Sequence, residues 1–169
     1  MASSGASKKL LKDIKDFTQL QDDQSGLEYR FRFEFAPDNM KKLDIYISQI
    51  TPERDSNIEK QMEKLGIPHL HLEYTISDNH PFNPPFVRFI TPRFVFRTGH
   101  VTMGGSICME LLTNQGWMPT TSIENVLRQI ILELQIGGGE IDEANPGRVY
   151  GLGEAKDAYA RMLASHGWK

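Results

Sequence analysis

One cysteine, Cys108, stands in Gly104-Gly105-Ser106-Ile107-Cys108-Met109-Glu110-Leu111, a glycine-led turn running into an apolar segment. A lone thiol makes no internal disulfide, which leaves three uses: a buried spectator, a metal ligand or a nucleophile. A protease-type nucleophile needs a histidine as base and a further group to orient it. His69, His71, His80, His100 and His166 are available in principle, but none lies in a protease signature, and Cys108 does not open a helix behind a glycine elbow. His69 and His71 put two potential metal ligands on one strand face, yet the cysteine pairs of structural zinc sites are missing. Gly137-Gly138-Gly139 is followed by no Lys-Ser or Lys-Thr and sits beside Glu140, Asp142 and Glu143, which repel phosphate, so the stretch reads as a flexible loop.

These residues must be positioned by one domain. A chain of 169 residues with 39% hydrophobic content fills one core, expected over 7–169 behind a flexible N-terminus at 1–6. A net charge of −3 argues against a generally basic, nucleic-acid-coating surface. No apolar run approaches the roughly 20 residues of a membrane helix, and the small polar start lacks a secretion signal, so an intracellular protein of the cytoplasm or nucleus is expected, with no membrane or nucleic-acid partner.

Leu10, Leu11, Ile14 and Phe17 recur at helical spacing behind Ser7 as N-cap, with Lys8, Lys9, Lys12 and Lys15 crowding the other side. From Leu27 to Phe35, apolar residues alternate with Glu28, Arg30, Arg32 and Glu34, the clearest strand of the chain. Leu43 to Ile50 and His69 to Ile76 read as two more strands, and Phe86 to Ile90 as a fourth at the edge, in an antiparallel sheet. Between the second and third, Ile58, Met62 and Leu65 mark a short inserted helix stopped by Gly66. Thr91 to Met118 has no period, and an unpatterned segment of that length inside a compact domain is usually functional. Thr121 to Leu134 carries one apolar stripe and a capping box of Thr121 with Glu124, and Ala155, Ala158, Tyr159, Met162 and Leu163 mark a last helix closed by Gly167. The order implies an α+β fold with helices packed on one sheet.

Three pieces then fall in a telling order: His80-Pro81-Phe82-Asn83-Pro84-Pro85, Ser106-Ile107-Cys108, and Gln115-Gly116-Trp117-Met118-Pro119 leading into a helix. This resembles the ubiquitin-conjugating (E2) enzymes, in which Y-P-F-x-P-P, G-x-I-C and a W-S-P segment before a helix recur in that sequence. Gly66-Ile67-Pro68, Asp78 to Arg88, Gly104 to Thr113, Gln115-Gly116-Trp117 and Gly167-Trp168 look most like the Q class of that family, and the likeness spans essentially the whole chain.

The resemblance implies a UBC-like fold and makes Cys108 the acceptor of ubiquitin as a thioester. The acyl group comes from an activating enzyme, which consumes the ATP, and passes to a lysine or other nucleophile of a protein substrate, usually with a ligase. No cofactor or metal is implied for this chain. The family usually has His-Pro-Asn upstream of the cysteine; the position of its asparagine is here His100, as fits the Q class, and a neutral His100 is the expected donor to the oxyanion or to the loop backbone. Glu140 and Asp142 are the expected acids for positioning an incoming amine. Lys8, Lys9, Lys12 and Lys15 resemble the face that meets the activating enzyme. Phe82, Met118 and Pro119 occupy the ligase-contacting positions, although the usual Ser-Pro-Ala is Met118-Pro119-Thr120. Leu132, apolar but off its helix's stripe, would hold thioester-linked ubiquitin beside Arg128. A catalytically silent binding module and a carrier of another ubiquitin-like modifier are the alternatives.

Overall fold

The computed structural model describes residues 4–169. Its elements in chain order are α1 (Ser4–Asp22), β1 (Arg30–Ala36), β2 (Asn39–Gln49), α2 (Asn57–Leu65), β3 (Leu70–Thr75), β4 (Phe86–Thr91), α3 (Ile123–Ile136) and α4 (Leu152–His166). The strands form one antiparallel sheet in the order β1-β2-β3-β4, so the α+β prediction and its inserted helix hold.

The two-residue period sorts each strand's side chains. Leu43, Ile45 and Ile47 of β2 and Leu70, Leu72 and Tyr74 of β3 are buried and lie opposite one another in register. The α3 stripe, Ile123, Val126, Leu127, Ile130, Ile131 and Leu134, joins them in one core. Helix α1 is anchored on β1 by Phe17, stacked on Phe31 and Phe33 with both ring centroids 4.8 Å away. Burying such a ring is worth about 1.5–3 kcal/mol. Helix α4 docks on the β4 edge, where Tyr159 meets Phe86 edge-on and donates its hydroxyl to Leu112 O at 2.6 Å.

Several boundaries move for local reasons. Helix α1 begins at Ser4, so Ser4, Gly5 and Ala6 of the expected flexible N-terminus are helical and Ser7 lies inside the helix instead of capping it; residues 1–3 of that segment lie outside the described residues. Strand β1 begins at Arg30, not Leu27, because the Leu27 N–H closes a turn onto Gln24 O. Helix α3 is capped by Ser122, whose hydroxyl accepts from the Asn125 N–H, not by Thr121 with Glu124. Gly66 and Gly167 end α2 and α4 in the left-handed region, as predicted. Among the described residues, no helix is long and apolar enough to cross a membrane.

Candidate active site

The unpatterned stretch after β4 is pinned by isolated bridges: Arg88 to Ser106, Val101 to Ile107 and Phe94 to Ile141. The glycines before the cysteine are required by close packing. A Cβ on Gly104 would lie 2.0 Å from Glu154 O, and Gly105 turns at φ 92° against the Tyr150 ring. Past the turn the chain is extended, and alternation sends Ile107 and Met109 inward, where both are buried. Cys108, between them, faces outward and half-buried. Its N–H donates to His100 O at 2.7 Å, which fastens the cysteine to the loop that carries His100.

Cys108 lies where two hollows meet. One, of about 650 Å³, runs between the loop 96–103 and one face of α4; the other, of about 450 Å³, lies between Met109-Glu110-Leu111 and α3. His100 and His166 line both. The His166 Nε2 is 3.6 Å from the Cys108 Sγ, and its ring stacks on Trp168 with centroids 4.4 Å apart. His100 has φ 56° and turns its Nε2 toward the Glu133 carboxylate, 3.3 Å away, not toward a loop carbonyl. Gly137 leaves room for that ring, since a Cβ there would meet the His100 Cδ2 at 2.6 Å. Partial burial and the negative charge of Glu133 push the Cys108 thiol above its ordinary range.

The expected acids stand apart from this arrangement: neither Glu140 nor Asp142 is among the residues lining the two hollows. The Glu140 backbone pairs with Val95 and Thr98, and the Asp142 carboxylate accepts from the Ala144 N–H and the Asn145 amide, turning its own loop. His166 stands beside the thiol and Glu133 acts on it through its charge, and no sequence pattern singles out either as a site residue. His69 and His71 do not converge on a metal position: His71 faces Asp44 at 2.7 Å and His69 packs edge-on against Tyr46.

The remaining candidates lie on three surfaces. On α1, Lys9 pairs with the buried Asp13 and Lys12 with Asp16, so half of the basic face is neutralised in place, while Lys8 and Lys15 have no ion pair among the described residues. Phe82 and Met118 are 62% and 61% exposed, and Pro119 is exposed beside them. The indole N–H of buried Trp117 donates to Pro81 O at 2.7 Å and binds those two loops into one end of the molecule. Leu132 is 44% exposed and lines a third hollow with Arg128, itself paired to Glu124.

Residues 14–136 match the family model for ubiquitin-conjugating enzyme. The chain belongs to the ubiquitin-conjugating enzyme family. Ubiquitin-conjugating enzyme E2 Q1 of Homo sapiens is 32% identical over 96% of this chain, which spans 39% of that relative's length. A shorter Homo sapiens relative, the ubiquitin-conjugating enzyme Q-like protein 1, is 30% identical over 94% of this chain and 95% of its own. Among solved structures, the ubiquitin-conjugating enzyme Pex4p of H. polymorpha, crystallised with the soluble domain of Pex22p, superposes with a TM-score of 0.60 over 98% of this chain and 96% of that one. At 19% identity that likeness speaks for the UBC fold alone.

Proposed function

We propose that this ubiquitin-conjugating family member is a catalytically competent E2 in which Cys108 carries ubiquitin as a thioester. The observation that supports it best is the outward Cys108 at the meeting point of two open hollows, in a chain of this family. In charging, the Cys108 thiolate attacks the acyl carbon of the ubiquitin thioester on the activating enzyme; the new C–S bond forms, the old one breaks, and the activating enzyme's thiolate leaves. In discharge, the acceptor's nitrogen or oxygen bonds to that carbon, Cys108 leaves as thiolate, and the acceptor's proton passes to a base.

A thiol held above its ordinary range needs help to ionise, and His166 is the group beside it. An imidazolium at that position favours the thiolate in charging, and its neutral form takes a proton in discharge. His100, held by Glu133, directs its backbone carbonyl to the Cys108 N–H and acts as a positioning residue for the loop. Glu140 and Asp142, which line neither of the thiol's hollows, are left as contacts for a large acceptor. Lys8 and Lys15 are the free cations for the activating enzyme, with Lys9 and Lys12 paired behind them. Phe82, Met118 and Pro119 form the ligase end, and Leu132 with Arg128 the rest for bound ubiquitin.

Incubation with an activating enzyme, ATP and ubiquitin tests the reading. The expected product is an adduct of one ubiquitin that thiol reductant removes and that Cys108→Ala never forms. No adduct with ubiquitin or any ubiquitin-like modifier would favour a silent binding module.

A further inference from the structure

The two hollows at Cys108 differ in charge. The one against α3 has Glu110 and Glu133 in its wall. The larger one has no carboxylate and carries Arg97 and Arg161 besides the two histidines. One of its walls is a single face of α4, where Ala158, Arg161, Met162, Ser165 and His166 follow the i, i+3, i+4, i+7, i+8 pattern. Ala158 and Met162 are buried in its apolar floor, while Phe96 and Met103, 57% and 61% exposed, form an apolar rim on the opposite loop.

The two arginines of this hollow are uncommitted among the described residues. Arg88, Arg93 and Arg128 are each paired, with Glu73, Glu154 and Glu124. Arg97 and Arg161 have no ion pair among the described residues. Arg97 is held at the rim by a φ of 64°, with its guanidinium 5.2 Å from the centroid of the Phe96 ring. Two free guanidinium groups beside exposed apolar side chains, in a chain of net charge −3, define a surface complementary to acidic peptide.

We infer that this hollow seats the acceptor and selects a segment in which an acidic residue and an apolar one flank the attacking nucleophile. The inference rests on the acyl-carrier reading above and names its substrate class. Carboxylates of the acceptor pair with Arg97 and Arg161, its apolar side chain packs on Phe96 and Met103, and its nucleophile faces the acyl carbon on Cys108. The opposite hollow, with Glu110 and Glu133, repels the same segment, so charge sorts the two approaches to the thiol.

Two labelled peptides test this: one lysine flanked by leucine and two glutamates, and the same peptide with arginines for the glutamates. Binding to the uncharged protein is read by fluorescence anisotropy, and acceptance by single-turnover discharge of the Cys108 thioester. The acidic peptide should bind and react about tenfold better at low salt, and the advantage should collapse at 1 M salt, where the Debye length is about 3 Å. Arg97→Glu with Arg161→Glu should invert the preference, and the corresponding pair of glutamine variants should abolish it. Equal binding of both peptides, or a preference that survives the charge reversal, overturns the inference. If no thioester forms, the acyl-carrier reading fails and anisotropy alone decides whether the hollow is selective. A thioester that discharges equally to both peptides overturns the selectivity while the carrier reading stands.

Discussion

Replacing His166 by alanine should slow alkylation of Cys108 at low ionic strength. An imidazolium and a thiolate 3.6 Å apart attract by about 1.2 kcal/mol at the dielectric of water, the lower bound for a half-buried thiol. That energy corresponds to about a sevenfold larger thiolate population. A thiolate stabilised in this way is also less nucleophilic, with a Brønsted coefficient of about 0.4–0.5, so the net effect on the rate is about threefold. Iodoacetamide suits the assay because the chain has one cysteine and every event reports on Cys108. The parent should outpace His166→Ala about threefold at low ionic strength, and the difference should shrink at 1 M salt, where the Debye length is about 3 Å. His166→Gln, which keeps hydrogen bonding but no charge, should behave as alanine does. Equal rates at low ionic strength, or a difference unchanged at 1 M salt, would refute the pairing.

Glu133→Gln should act in the opposite direction: burial still raises the thiol, but the adjacent negative charge is gone, so the alkylation profile moves toward lower pH, and a profile that stays in place would contradict the assigned cause. Gly104→Ala should cost about 1–3 kcal/mol in urea unfolding, because its Cβ would press on the α4 backbone at Glu154 O, 2.0 Å away. The same variant should blunt the effect of His166→Ala, since α4 must shift to admit the methyl.

Sequence and structure agree most where a period spans one element. Phe31 and Phe33, the α3 stripe and the Gly66 stop were legible because burial or backbone strain at those positions dictates residue type. The α3 cap was ambiguous for a local reason: Thr121 with Glu124 and Ser122 with Asn125 both fit the spacing, and the helix starts one residue later than the capping-box pattern suggests. Cys108 is legible as a candidate because its motif is contiguous. The approach of His166 to the thiol is not legible, since it spans 58 residues and depends on how α4 docks. Glu133 is one more polar residue on an exposed helix flank until His100 turns toward it. Asp142 shows the reverse, an acid near the right loop whose carboxylate is occupied by its own turn.

The stacking of His166 on Trp168 gives the thiol an optical reporter. The emission of an indole depends on what packs against it, so Trp168 fluorescence should respond to any change that moves His166 against the thiol. The other tryptophan, Trp117, is buried with its N–H fixed on Pro81 O and contributes a steady background. Chemical modification of Cys108 that displaces His166 can therefore be followed by intrinsic fluorescence, with no label attached to the chain.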